Sequence, residues 1–133
     1  MHGELLRVKC TACGRSHPRR EDVTRESACP ACGRTGTLRP DVVWFGEVPY
    51  HLDAIYDALT RCRLFVAVGT SGQVHPAAGF VEVAKANGAL TVELNLEPSA
   101  VSYAFDIRRY GPASEVVPAF VDGLLTLSGV DAG

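Results

Sequence analysis

From Asp41 onward, short apolar runs alternate with amphipathic stretches. The runs DVVWF, RLFVAVGTS, ALTVELN and FDIRRYG have the length and composition of β-strands, and the last of them is the weakest. The stretches HLDAIYDALTRC and PAAGFVEVAKANG have apolar residues at helical spacing, and SEVVPAFVDGLLTL predicts a last helix that Ser114 opens. Strands that alternate with helices predict an α/β fold with a mostly parallel sheet covered by helices.

These runs give about four strands, fewer than the six of a complete doubly wound sheet, so the pattern predicts part of a nucleotide-binding fold. Residues 4–40 differ from the rest, because they hold four of the five cysteines and show little sustained apolar periodicity. Such a segment cannot form an adequate core by itself and needs another means of stabilisation.

The cysteines of this first segment follow the pattern C-x2-C-x15-C-x2-C, at Cys10, Cys13, Cys29 and Cys32. Each pair is followed by a glycine, which suits a tight knuckle that points both sulfurs at one ion. The spacing predicts a closed structural zinc site; an iron site of the rubredoxin kind or four free thiols are the alternatives. Cys62 follows an amphipathic stretch and is predicted to be a core thiol.

Composition and charge exclude several classes of protein. The 133 residues suffice for one domain with a small appendage, and the net charge of −2 leaves no surplus to neutralise phosphates. The arginines between the two knuckles are offset by nearby acidic residues, so we expect no nucleic-acid partner. No apolar run approaches the ~20 residues that cross a bilayer, and the start is no signal peptide, so we expect no membrane partner and a cytoplasmic protein.

Polar and small residues follow three of the predicted strands, where open α/β sheets bind ligands. GTSG comes after the strand LFVAV, Asn95 and Glu97 come after VEL, and Gly111 to Ala113 come after the last strand. Backbone N–H groups and hydroxyls there can contact a phosphate or ribose, although ordinary turns remain an alternative. The pyrophosphate motif G-x-G-x-x-G is missing.

Together these segments resemble the sirtuins, the NAD-dependent protein-lysine deacylases, and in particular the bacterial ones. The matching motifs are HGELLRVKC, the paired CxxCG knuckles, LRPDVVWFGE, AVGTSGQVHPAAGF, VELNLEPS and YGPAS, in that order. The resemblance implies a partial Rossmann-type domain, residues 41–133, and a small four-cysteine zinc-ribbon module, residues 1–40. It also implies that NAD and an acyl-lysine peptide or protein bind in a cleft between the Rossmann-type domain and the zinc-ribbon module.

The resemblance assigns roles to individual residues. His2 aligns with the base that withdraws a proton from a ribose hydroxyl after the acyl oxygen has displaced nicotinamide, a task that suits imidazole. The positions that align with NAD contacts are Gly69, Thr70, Ser71, Asn95, Leu96, Glu97 and Ala113. The positions that align with the segment pairing with the substrate backbone are Val43, Phe45, Gly46 and Glu47.

Family members carry further motifs upstream of the HG pair, among them a glycine-rich GAGxS loop. We therefore interpret the chain as the C-terminal half of a sirtuin and expect little deacylation by the chain alone. A sheet without its leading strands exposes an edge, which favours self-association. The alternative is a non-catalytic, zinc-stabilised remnant that binds a peptide or a partner.

Overall fold

The computed structural model describes residues 1–128. The chain divides into two compact units, Met1–Leu52 and Asp53–Gly133. The domain boundary predicted at Pro40 falls inside a strand of the first unit, Leu38–Val42. The assignment of residues 41–133 to a nucleotide-binding half stays a prediction.

The first unit is built on a three-stranded antiparallel sheet. Its strands are β1 (Gly3–Cys10), β2 (Ser16–Pro18) and β3 (Leu38–Val42), in the order β2-β1-β3. The pairing of β1 with β3 shifts register between Glu4 and Val8. Gly3 permits a close approach here: its φ is +87°, and a Cβ would lie 2.0 Å from the carbonyl oxygen of Asp41. No side chain fits at this position.

Polar contacts and cysteines, rather than an apolar core, hold the first unit together. Within Met1–Leu52, the fully buried side chains are those of Val8, Cys10 and Cys29. Asp41 on β3 accepts hydrogen bonds from Ser16 Oγ at 2.5 Å and from the Tyr50 hydroxyl at 2.8 Å. The hydrogen bond from Ser16 is the main cause of the lowered pKa of Asp41. The carboxylate therefore joins β2, β3 and the segment after β3.

The sequence interpretation of DVVWF as a strand of the parallel sheet is wrong. The strand ends at Val42 and pairs antiparallel with β1, and a turn follows over residues 44–47. The apolar run did indicate extended backbone, but its partner strand GELLRVKC lies in the segment that shows little sustained apolar periodicity. Gly46, with φ of +87°, helps to end the extended conformation.

The second unit has the predicted α/β architecture. Helix α1 is Leu52–Arg61, α2 is Phe80–Ala86 after a 3₁₀ turn at Ala77–Gly79, and α3 is Ala113–Ser128. Strands β4 (Leu64–Val68), β5 (Leu90–Asn95) and β6 (Ile107–Tyr110) form a parallel sheet in the order β4-β5-β6. Helix α3 begins one residue before the predicted Ser114. Among residues 1–128 the parallel sheet thus has three strands.

The central strand β5 is buried on both faces. Val92 and Leu94 point to one face, and Thr91 and Glu93 point to the other, all with 1% exposure or less. Phe105 belongs to the apolar core of this unit and stacks on Phe65 of β4 at 6.4 Å between ring centroids. Because β5 is packed on both faces, the residues that follow it have a defined position at the carboxyl edge of the sheet.

Within residues 1–128, β4 has one strand neighbour, β5, so its other edge is unpaired. None of the helices in that part of the chain has the length and apolar character needed to span a bilayer.

Candidate cofactor cleft and metal centre

The four cysteines predicted as metal ligands come together in the first unit. The Sγ atoms of Cys10, Cys13, Cys29 and Cys32 all lie within 4.8 Å of one another. The pairs Cys10–Cys32 and Cys13–Cys29 are each separated by 3.8 Å between sulfurs. A tetrahedron with Zn–S bonds of about 2.3 Å has sulfur–sulfur edges of about 3.8 Å, so the arrangement fits a zinc ion.

Backbone hydrogen bonds shape each cysteine knuckle in the same way. The N–H groups of Gly14 and Gly33 donate to the carbonyls of Cys10 and Cys29, both at 2.8 Å. Both glycines have positive φ, +73° and +72°, which explains why each CxxC pair is followed by glycine. A hydrogen bond with Thr37 is the main cause that lowers the pKa of Cys10 to about 6.

A cleft of about 450 Å³ lies at the carboxyl ends of β4 and β5 in the second unit. Two loops form it, one after each strand, as expected for ligand sites in open parallel sheets. Its lining consists of Gly69, Thr70, Ser71, Gln73, Asn95, Leu96, Glu97, Pro98, Ser99 and Ala100. Six of the seven positions predicted to contact NAD are therefore brought together in one cleft.

Hydrogen bonds tie the two loops of the cleft to each other. The Asn95 amide donates from Nδ2 to the Thr70 carbonyl at 2.7 Å and accepts from the Leu96 N–H at 2.9 Å. The Ala100 N–H donates to the Ser71 carbonyl at 2.9 Å. Asn95, predicted as a ligand contact, therefore also fixes the shape of the cleft through one donor and one acceptor of its amide.

The seventh predicted position, Ala113, does not line this cleft and is the first residue of α3. Conversely, the sequence interpretation missed Gln73 and the segment Pro98–Ala100. A signal for both was present, because Gln73 directly follows the GTSG turn and the second segment continues the loop that begins at Asn95.

The predicted substrate segment forms an exposed turn in the first unit. The Glu47 N–H donates to the Trp44 carbonyl at 3.0 Å, and the Glu47 carboxylate accepts from the Trp44 N–H at 2.9 Å. Arg39 binds the same carboxylate through both terminal nitrogens and stacks over the Trp44 ring, 3.5 Å from its centroid. The hydrogen bonds from Arg39 are the main cause that lowers the pKa of Glu47 to about 2.

The Phe45 side chain at the tip of this turn is 97% exposed. The carboxylate of Glu47 is bound by Arg39. Gly46, between Phe45 and Glu47, has a positive φ. Val43 precedes the turn, and its N–H donates to the carbonyl of His2 at 2.9 Å, which extends the pairing of β1 with β3 by one hydrogen bond.

His2 stands just before β1 with an exposed side chain. Its position is fixed through the backbone, by the hydrogen bond from Val43 and by the close approach of Gly3 to β3. The HG pair thus has a physical basis: the glycine permits the close approach of β1 to β3, and the hydrogen bond from Val43 holds the histidine backbone beside it.

The model of the Sir2 family matches residues 1–76. The NAD-dependent protein deacylase of Escherichia coli strain K12 is 55% identical over 133 residues, which cover the whole chain and 47% of that protein. An NAD-dependent protein deacylase of Trypanosoma brucei brucei, SIR2rp3, is 57% identical over 94% of the chain and 52% of its own length.

Solved structures have the same fold. A Sir2 homologue in complex with NAD superposes with a TM-score of 0.82 at 32% identity, over 95% of the chain and 50% of the homologue. Sir2Af2 bound to a myristoylated histone peptide gives 0.77 at 28% identity, over 98% and 58%. The chain spans about half the length of the curated relatives it matches.

Proposed function

Because the chain belongs to the Sir2 family, we propose that it provides part of the NAD site and the zinc-stabilised module of an NAD-dependent protein-lysine deacylase. The curated relatives carry that name, and one solved homologue is an NAD complex. The observation that carries the proposal is the cleft, because six residues assigned to NAD by motif lie around one cavity.

In this proposal the cleft binds one end of the cofactor through its hydroxyl-bearing and backbone groups. Thr70 and Ser71 follow a parallel strand, where backbone N–H groups and hydroxyls suit a ribose or phosphate. Asn95 retains one amide hydrogen and one lone pair for a ligand after its two bonds within the cleft. NAD supplies the leaving nicotinamide and the ribose that accepts the acyl group.

We assign to His2 the role of general base, which accepts a proton from a ribose hydroxyl. Its side chain is exposed, and its backbone is anchored to β3. The four-cysteine site, with all coordination positions taken by protein sulfur, would stabilise the first unit and take no part in the chemistry.

The turn after β3 suits contact with an extended peptide. Phe45 and Val48 expose 97% and 76% of their surface, which gives an acyl-lysine peptide an apolar face to pack against. The same feature supports the second candidate function, a non-catalytic module that binds a peptide. The two candidates differ in whether His2 and the cleft are required.

The proposed function can be tested by replacing the matching 47% of the E. coli deacylase with this chain and measuring NAD-dependent deacetylation of an acetyl-lysine peptide. We expect an active chimera whose turnover falls by about 10²–10⁴-fold in the His2→Tyr variant, since a positioned proton acceptor is lost. NAD affinity of that variant should change much less.

His75→Tyr is the matched control, because this histidine is exposed, lies outside the lining of the cleft and has no assigned role in catalysis. A folded chimera that binds peptide and lacks deacylation would favour the peptide-binding module. Turnover that survives His2→Tyr would refute the assignment of the base.

We extend the proposal to the location and the association of the chain. Five cysteines without disulfide bonds suit a reducing compartment, which supports a cytoplasmic location.

The edge of β4 that has no neighbouring strand supports self-association, which sedimentation at increasing protein concentration would detect.

A further inference from the structure

Glu93 is a buried carboxylate to which the proposed function assigns no role. It lies on the central strand β5, two residues before Asn95, and its side chain is 0% exposed. Strand alternation places Thr91, Glu93 and Asn95 on one face of β5. A fully buried carboxylate costs considerable free energy unless hydrogen bonds compensate it, so its partners indicate what it holds in place.

The carboxylate of Glu93 bridges the cleft to strand β6. Oε1 accepts the N–H of Ser99 at 3.1 Å, and Ser99 belongs to the lining of the cleft. Oε2 accepts the hydroxyl of Tyr110 at 3.0 Å, and this hydroxyl lies 2.7 Å from Ser102 Oγ. One side chain therefore joins the cleft loop, β5 and the end of β6.

The backbone next to Ser99 is the point where the two cleft loops meet. The neighbouring Ala100 N–H donates to the Ser71 carbonyl. A Cβ on Gly72 would lie 3.2 Å from Ser99 Cβ and 2.6 Å from the Val101 side chain, so the loops are in close contact. A shift of Ser99 would consequently move both walls of the cleft.

Burial acts to raise the pKa of Glu93, but hydrogen bonds from Ser99, Ser102 and Tyr110 outweigh it and keep the pKa below its ordinary value. Each oxygen of the carboxylate thus has a hydrogen-bond donor inside the protein. It faces the underside of the loop and is not part of the cleft lining.

We propose that Glu93 is a positioning residue for the cofactor cleft: by binding the Ser99 N–H and the Tyr110 hydroxyl, it holds the Leu96–Ala100 loop in the conformation that receives NAD. This inference rests on the proposed function as far as the ligand is concerned. The hydrogen bonds that carry it do not depend on the ligand.

The test compares Glu93→Leu, which fills the space without accepting hydrogen bonds, with Glu93→Gln. A glutamine can accept from the Ser99 N–H through Oε1 and donate to the Tyr110 oxygen, so it preserves the bridge without the charge. The matched control is Asp106→Asn, which perturbs the carboxylate that accepts the Thr91 N–H and hydroxyl further along the same face of β5.

Two readouts are measured on the chain: hydrogen exchange of the Ser99 and Ala100 amides, and the Kd for NAD by calorimetry. We expect Glu93→Leu to accelerate exchange and raise the Kd, each by about tenfold or more, the size expected for a lost hydrogen bond to a charged group. Glu93→Gln should stay within about threefold of wild type in both, and Asp106→Asn should stay within about threefold of wild type in the Kd.

Wild-type exchange and binding in Glu93→Leu would overturn the proposal, and so would equal effects of Asp106→Asn. If Glu93→Leu fails to fold, Tyr110→Phe decides in its place, since it removes one partner of the bridge and should accelerate Ser99 exchange. If the wild-type chain binds no NAD, the NAD part of the proposed function and of this inference fails. Exchange at Ser99 then decides whether Glu93 holds the loop.

Discussion

Removal of the metal should unfold the first unit and leave the second folded. Within Met1–Leu52 a single apolar side chain other than cysteine is fully buried, that of Val8. Burying one valine stabilises by about 1.5–3 kcal/mol. Binding of zinc to a structural site contributes about 10–16 kcal/mol near pH 7, several times as much. The second unit has its own apolar core, which includes Val81, Leu94 and Phe105.

The assay follows ¹⁵N–¹H amide spectra while a chelator withdraws zinc, with the released metal measured by elemental analysis. One zinc per chain should be released, and signals from β1 to β3 should collapse to random-coil positions while those from β4 to β6 persist. Cys29→Ala should produce the same spectrum without a chelator. Cys62→Ala is the control and should retain zinc, since its thiol donates to the Leu59 carbonyl outside the cluster.

Signals of the first unit that remain dispersed once zinc has fallen below about a tenth of an equivalent per chain would contradict this expectation. An unchanged zinc content in Cys29→Ala would contradict it as well.

Four further predictions concern stability and the turn after β3. Gly3→Ala should lower the free energy of unfolding by more than about 1 kcal/mol in urea titrations, because a Cβ there meets a β3 carbonyl at 2.0 Å. Gly123→Ala, in α3 with open space around it, should instead stabilise by about 0.5–1 kcal/mol. Arg39→Leu should shift the emission of Trp44, the single tryptophan, to longer wavelength, because its ring loses the stacked guanidinium. The pKa of Asp106 is lowered from 3.8 to about 2, chiefly by a hydrogen bond from a neighbouring lysine. The ionised carboxylate of Asp106 should therefore contribute to the free energy of unfolding above pH 4, and this contribution should be lost as the pH falls towards 2. The Asp106→Asn variant should lack this contribution at every pH.

The second unit was predictable from sequence because its strands and helices are each marked by local patterns. LFVAV and LTVELN are short apolar runs between helices, and both were identified as strands. The cleft followed from the same logic, since residues after neighbouring parallel strands come to one edge of the sheet. Asn95 and Ser71 were predicted without any knowledge of the hydrogen bonds that shape the cleft.

The first unit was less predictable because long-range contacts determine it. GELLRVKC carries charges among its apolar residues, so its pattern did not indicate a buried strand. In the structure it is the central strand of the antiparallel sheet, with Leu5 and Leu6 exposed. The role of Glu93 was equally hidden. A glutamate within a strand pattern suggests an exposed side chain, and only the positions of Ser99 and Tyr110 reveal its burial.

The central claim, that the cleft beyond β4 and β5 belongs to a cofactor site, can be tested directly by titrating the ¹⁵N-labelled chain with NAD and mapping the amide shifts. We expect saturable shifts concentrated at residues 69–71 and 95–97, and a weaker affinity in Ser71→Ala, whose hydroxyl follows β4 at the cleft. Shifts that fail to saturate, or that saturate while the cleft residues remain unmoved, would contradict it.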